Sequence, residues 1–76
     1  MITRATIENK LSNMSDIDDY RQLITLIEEA INNRIITSIQ DPIFDKMQIR
    51  NKLEKNARIL MRHFAWMIAE KGHTSD

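Results

Sequence analysis

The chain has 76 residues, 42% of them hydrophobic and 29% charged, and its formal net charge at pH 7 is zero. A chain of this length forms one domain with a small core, so a partner subunit is a reasonable expectation. The absence of cysteine excludes disulfide bonds and a thiolate zinc site, and the single glycine and single proline disfavour a many-stranded sheet.

The N-terminal region lacks the apolar run of a signal peptide, because the charged residues Glu8 and Lys10 occur early in it. No stretch approaches the roughly 20 apolar residues that a membrane span requires. The most apolar stretch, residues 59–69, is interrupted by Arg62 and His63. We therefore expect a cytoplasmic protein without a membrane span.

Residues 3–13 form the first predicted helix. Ile7, Leu11 and Met14 follow one another at spacings of four and three, which place them on one face of a short amphipathic helix. A polar break at residues 13–15 then separates this helix from the next.

The second predicted helix covers residues 16–39. Ser15 followed by Asp18 is close to the capping-box pattern of a helix N-terminus, where the helix dipole also favours acidic side chains. Apolar residues then recur at helical spacing: Ile17, Tyr20, Ile24, Ile27, Ile31 and Ile35. Leu26 and Ile36 lie off this stripe, so we expect the helix to contact a second neighbour.

The dipeptide Asp41-Pro42 is the strongest local signal in the sequence. Proline disfavours helical geometry in the residue before it and suits the first position of a helix, while aspartate is a good N-cap. One helix is therefore predicted to end here and another, over residues 42–71, to begin. Gly72 is predicted to end that helix and to leave residues 72–76 as a tail.

Charge is distributed unevenly along the chain. Residues 1–45 contain four basic and eight acidic side chains, whereas residues 46–76 contain seven basic and three acidic ones. An antiparallel hairpin across Asp41-Pro42 would place these opposite charges side by side. The contacts expected from that packing join Glu28 and Glu29 to Lys52 and Lys55, and the acidic start of the second helix to Arg62.

The last predicted helix has more apolar surface than one hairpin partner can cover. Ile59 and Trp66 lie seven residues apart, on a different face from the inner stripe that contains Phe64. We therefore predict a partner interface, formed by homodimerisation that completes a bundle or by docking onto a larger protein. The residues expected to form this interface are Ile59, Met61, Trp66 and Met67, with Leu26 and Ile36 of the preceding helix.

The acidic and histidine side chains are weak candidates for chemistry. Asp16 and Asp18 form an Asp-x-Asp pattern that can ligate magnesium or calcium, but helix capping is favoured because no glycine-bearing loop follows. His63 and His73, the only histidines, are ten residues apart and do not share a helical face. No nucleophile, base and orienting group can be assembled from the sequence, so we predict a non-enzymatic protein without a catalytic, cofactor or metal site.

The basic residues of the last predicted helix support an alternative function. Lys46, Arg50 and Arg58 occur at multiples of four residues, with Lys55 nearby, as phosphate contacts of a DNA- or RNA-binding helix could do. The competing interpretation is a solvated face with ion pairs to Glu54, and the zero net charge favours it.

The sequence thus predicts an all-α protein in which a short helix precedes an antiparallel helical hairpin. Its expected function is protein binding, as a regulator, adaptor, inhibitor or dedicated chaperone. A nucleic-acid-binding regulator is the alternative.

Overall fold

The computed structural model describes the backbone of residues 2–50 and 54–73, and the side chains of residues 2–47 and 58–72. Within these residues the chain forms helices and no strand, which confirms the predicted all-α class. The helices are α1 (Arg4–Ser12), α2 (Ile17–Asn32), α3 (Pro42–Arg50) and α4 (Glu54–His73).

The first two helices form an antiparallel hairpin. Lys10, near the end of α1, donates a hydrogen bond from Nζ to Oδ1 of Asp19, near the start of α2, over 3.1 Å. The predicted first helix over residues 3–13 agrees with α1, whose N-cap Thr3 accepts a hydrogen bond from the backbone amide of Thr6. An N-cap hydroxyl satisfies one of the amides that a helix start leaves without a partner.

The chain reverses direction again between α2 and α3. Arg4 pairs with Asp41 and Glu8 pairs with Lys46, so α1 and α3 run in the same direction. Because α1 is antiparallel to α2, α3 is antiparallel to α2 as well. The chain therefore reverses direction at Asp41-Pro42, as the predicted hairpin requires, but α3 packs on α1, and the helix after Pro42 that packs on α2 is α4. Asp41 is the predicted N-cap, since its Oδ1 accepts a hydrogen bond from the amide of Ile43 over 3.0 Å.

The predicted helix over residues 42–71 is divided into α3 and α4, and this division changes the packing. Nε2 of His63 lies 2.8 Å from Oε2 of Glu28, and Nη2 of Arg34 donates to the carbonyl of Lys71 over 3.4 Å. Arg34 follows Glu28 along the chain, and Lys71 likewise follows His63. Helix α4 therefore runs parallel to α2. It therefore runs antiparallel to α3.

The ion pairs predicted between the acidic second helix and the basic last helix differ from those that the described residues form. Glu28 contacts His63 in place of a lysine, and Arg62 is exposed with no ion pair among the described residues. Lys52 and the side chain of Lys55 lie outside the described residues. The ion pair expected of Arg62 is thus not formed among the described residues, and the contacts expected of Lys52 and Lys55 stay predictions.

The end of the second predicted helix also differs from the prediction. Helix α2 ends at Asn32, well before residue 39, and the segment from residue 33 to residue 41 is irregular. Ile36 therefore does not lie on a second face of a helix, as predicted, but in the core, where its side chain is 1% exposed.

A left-handed residue explains the early end of α2. Arg34 has a φ of 61°, and its amide donates to the carbonyl of Ile31 over 3.1 Å. The amide of Ile35 donates to the carbonyl of Ala30 over 2.8 Å. These two bonds form a Schellman motif, in which glycine is the usual left-handed residue. Because arginine occupies that position here, the sequence contained no stop signal.

Two other predicted boundaries are corrected. The N-cap of α2 is Asp16, whose carboxylate accepts the amide hydrogen bond of Asp19, whereas Ser15 was predicted. At the other end of the chain, α4 continues past Gly72 to His73, because Gly72 does not adopt a positive φ and so does not form the predicted left-handed cap. Residues 74–76 of the predicted tail lie outside the described residues.

One hydrophobic cluster includes side chains of all the helices. Phe44 of α3 and Phe64 of α4 lie with their ring centroids 5.6 Å apart, and both side chains are buried. The other buried members are Ile2, Ile7, Leu11, Tyr20, Leu23, Ile27, Ala30, Ile31, Ile36, Ile43 and Met47. Among the described side chains of α4, only Phe64 is fully buried.

Acid should weaken the start of α2 through Asp19. The amide and hydroxyl of Ser15 and the ammonium of Lys10 all donate to this carboxylate, and these bonds lower the pKa of Asp19 to about 2. Because the folded-state pKa lies below the ordinary value of 3.8, the stabilisation is present above pH 4 and is lost as pH falls toward 2. We expect the free energy of unfolding of the Asp19→Asn variant to depend less on pH than that of the wild type, as measured by urea unfolding between pH 2 and 6.

The neighbouring Asp18→Asn substitution is the matched control. Asp18 lies in the same helical turn, and its carboxylate forms no ion pair within the described residues. If both substitutions reduced the pH dependence of the unfolding free energy equally, the specific role of Asp19 would be contradicted.

Candidate functional site

Among the described residues, the most exposed of the large apolar side chains lie on α4 and at the start of α2. Ile59 is 68% exposed and Trp66 is 61% exposed, and Ile17 of α2 is 50% exposed. Ile59 and Trp66 are two helical turns apart, on the side of α4 that faces away from Phe64. The sequence-based expectation that these two residues lie outside the inner stripe is therefore correct.

The exposed side of α4 forms a continuous strip of residues. Arg62, Ala65 and Ala69 are also exposed and share this side with Ile59 and Trp66. We call this set of five residues the outer face of α4. It combines two large apolar side chains, two small ones and one cation, and the exposed Arg58 lies beside it, one helical turn before Arg62.

An apolar groove borders the outer face where α4 packs on α2. Its volume is about 520 Å³. The lining residues are Ile17, Tyr20, Arg21, Ile24, Ile59, Leu60 and His63. Ile59 thus belongs both to the outer face and to the groove, so a partner on one surface could extend onto the other.

The remaining predicted interface residues are located elsewhere. Met61 and Met67 are half-buried against the core, on the inner side of α4. Leu26 is half-buried and lines a more polar groove between α1 and α2, together with Thr25 and Gln22. Ile36 is buried and is not available to a partner. For Met61, Met67 and Leu26, which are partly accessible, a place in the interface stays a prediction.

The basic residues predicted to contact nucleic acid are divided between two helices. We call this set, Lys46, Arg50, Lys55 and Arg58, the basic ladder. Lys46 lies on α3, where its Nζ donates to Oε1 of Glu8 over 2.8 Å, whereas Arg58 lies on α4 and is exposed. The side chains of Arg50 and Lys55 lie outside the described residues. The ladder is therefore not one helical face.

The pair formed by His63 and Glu28 is the closest approach to a chemical site. Both side chains are partly exposed, and Nε2 of His63 lies within hydrogen-bond distance of Oε2 of Glu28. A general base or a metal site needs at least one further group. Within the part of the chain that the structure describes, no group of three or more histidine, aspartate or glutamate side chains is arranged to hold a metal ion.

The described helices also lack the combination of length and hydrophobicity that crossing a membrane would require. No protein-family model, curated protein or solved structure matches this chain. The function is therefore inferred from its surfaces.

Proposed function

We propose that this protein is a small non-enzymatic interaction module that binds another protein through the outer face of α4. A regulator, adaptor, inhibitor or dedicated chaperone acts in this way. The observation that supports the proposal most is the exposure of Ile59 and Trp66 on one face of one helix. Tryptophan is among the residues that contribute most to binding at protein interfaces.

Burial of the outer face of α4 can contribute a substantial binding free energy. An aromatic side chain buries up to about 250 Å² when it is covered, and apolar burial contributes about 25 cal/mol per Å². Covering the exposed part of Trp66 therefore contributes roughly 3 kcal/mol, whereas a surface ion pair contributes about 0 to 1 kcal/mol. We therefore expect apolar contact at Trp66 to contribute more to binding than any single surface ion pair.

Replacing Trp66 with aspartate should abolish binding and leave the fold intact, because the side chain is exposed. The matched control is Ile39→Asp, which introduces the same charge at an exposed isoleucine in the segment between α2 and α3. We expect the proteins retained by the wild type on an affinity column to be retained by the Ile39 variant and lost with the Trp66 variant. Circular dichroism checks that both variants are folded, and light scattering reports any change in mass.

The outcome that would contradict this function is equally specific. A folded Trp66→Asp variant that keeps the wild-type mass and retains the same proteins would remove the outer face of α4 as the binding site.

Nucleic-acid binding is the alternative, and it has weaker support. The basic ladder is divided between α3 and α4, and Lys46 is already paired with Glu8. Fluorescence anisotropy with duplex DNA at low and moderate salt tests it, because binding through about four phosphates would weaken steeply with salt. Salt-dependent binding that is lost in Arg58→Glu and kept in Trp66→Asp would favour this alternative.

A further inference from the structure

We propose that the outer face of α4 binds the same face of a second copy of the chain, with the two α4 helices antiparallel. The two-fold axis lies at the level of residue 64. This inference rests on the proposed function, because it assigns an occupant to the same surface. It is supported by the spacing, the size and the charge of the exposed residues.

The spacing on the outer face is that of a coiled-coil seam. Ile59, Arg62, Trp66 and Ala69 follow one another at intervals of three, four and three residues, and all four side chains are exposed. This interval pattern keeps one line of side chains facing a partner helix along its length. The seam therefore suits an α-helical partner of similar length.

A second copy complements this seam in size. An antiparallel helix with its axis at residue 64 places Ile59 opposite Ala69 of the second copy, since both lie five residues from the axis. A large side chain then meets a small one. Two-fold symmetry repeats this contact at the other end of the seam.

The centre of the seam is complementary in chemistry. Arg62 and Trp66 lie two residues on either side of the axis, so each arginine faces the tryptophan of the other copy. A guanidinium over an indole ring is a favourable cation–π contact. A parallel pairing would instead place Arg62 against Arg62, which is repulsive, so the antiparallel arrangement is favoured.

Charges beside the seam support the same arrangement. Arg21 lines the groove next to Ile59, and Glu70 follows Ala69 on α4. Neither side chain forms an ion pair with another described residue. Because Ala69 of the second copy faces Ile59, Glu70 of that copy lies at the level of Arg21. The dimer therefore contains two such ion pairs, one on each side of the axis.

Disulfide trapping tests the arrangement, since the natural chain has no cysteine. We expect a one-to-one mixture of Ile59→Cys and Ala69→Cys proteins to form a mixed disulfide dimer on mild oxidation. Each variant alone should remain uncrosslinked, because its two cysteines are separated by about 15 Å along the helix axis, beyond the reach of a disulfide. Crosslinking of each variant with itself would indicate a parallel dimer and would overturn the proposal.

A charge exchange provides a second, independent measurement. Arg21→Glu and Glu70→Arg should each raise the dimer dissociation constant about fivefold, and the double variant should restore it. Sedimentation or light scattering over a dilution series measures these constants. Failure of the double variant to restore dimerisation would overturn the proposed register.

The wild-type mass separates this inference from the proposed function. A wild-type protein that stays monomeric at high micromolar concentration overturns the second-copy inference. If Trp66→Asp still abolishes capture of another protein in that case, the interaction function stands with a different occupant. If the Trp66→Asp variant of that monomeric protein still captures the other protein, the second-copy inference and the proposed function are both wrong.

Discussion

Replacing Phe64 with alanine is expected to lower the free energy of unfolding by about 4 kcal/mol, the usual cost of deleting a buried phenylalanine ring. Phe64 is fully buried and packs against the ring of Phe44. A domain of this size has a total stability of about 4 to 11 kcal/mol. The variant should therefore be largely unfolded, or should unfold at much lower urea concentration, as measured by circular dichroism.

Two controls distinguish loss of packing from a general sensitivity of α4. Phe64→Leu keeps an apolar side chain of similar size and should cost about 1 kcal/mol. Trp66→Ala, two residues away on the exposed side, should change monomer stability by no more than about 0.5 kcal/mol. The measurements need a dilution series, because dimerisation would add concentration-dependent stability. Equal unfolding midpoints for Phe64→Ala and Trp66→Ala would contradict the burial of Phe64.

Replacing Asp41 with alanine is expected to cost about 2 kcal/mol, because one carboxylate performs two functions. Its Oδ1 caps α3 through the amide of Ile43, and both its oxygens accept hydrogen bonds from Arg4, at 2.9 and 2.6 Å. Loss of a cap costs about 1 kcal/mol. The ion pair contributes about another 1 kcal/mol, because Asp41 is only 10% exposed while Arg4 is 43% exposed and partly screened by water.

The two contributions can be separated by substitution. Asparagine is as good an N-cap as aspartate but carries no charge, so Asp41→Asn should lose only the ion-pair contribution. Arg4→Ala should lose a similar amount, and combining it with Asp41→Asn should cost little more than either alone. Fully additive effects in urea unfolding would show that Arg4 and Asp41 do not stabilise each other.

The stabilisation by Asp41 should depend on pH. The hydrogen bonds from Arg4 hold the pKa of Asp41 below its ordinary value of 3.8, against the opposing effect of burial. A depressed pKa means that the contribution is present above about pH 4 and is lost as pH falls through the folded-state value. The difference in unfolding free energy between wild type and Asp41→Asn should therefore shrink in acid.

The helix at residues 3–13, the chain reversal at Asp41-Pro42 and the exposure of Ile59 and Trp66 were all predictable. In each case the signal is local: helical spacing of apolar residues, or the capping chemistry of one dipeptide. The inner position of Phe64 followed from the same spacing.

The end of α2 and the division of the last helix were not predictable. Arg34 adopts a left-handed conformation that glycine usually supplies, so the Schellman motif at the end of α2 has no sequence signature. Residues 43–71 contain neither glycine nor proline, so nothing in the sequence marks the change of direction between α3 and α4. The early end of α2 is the reason why Ile36 lies in the core and not on a helix face.

The sequence by itself determined the helical class, the Asp41 cap of α3 and which side of α4 is apolar beyond the needs of the core, because these properties depend on residues a few positions apart. Only the tertiary structure decided that α4 runs parallel to α2, and that Ile59 borders a groove with Ile17 and Arg21. The direction of a helix depends on how all the helices pack together around core residues such as Phe44 and Phe64. The outer face of α4 is exposed because that packing buries the opposite side of the helix.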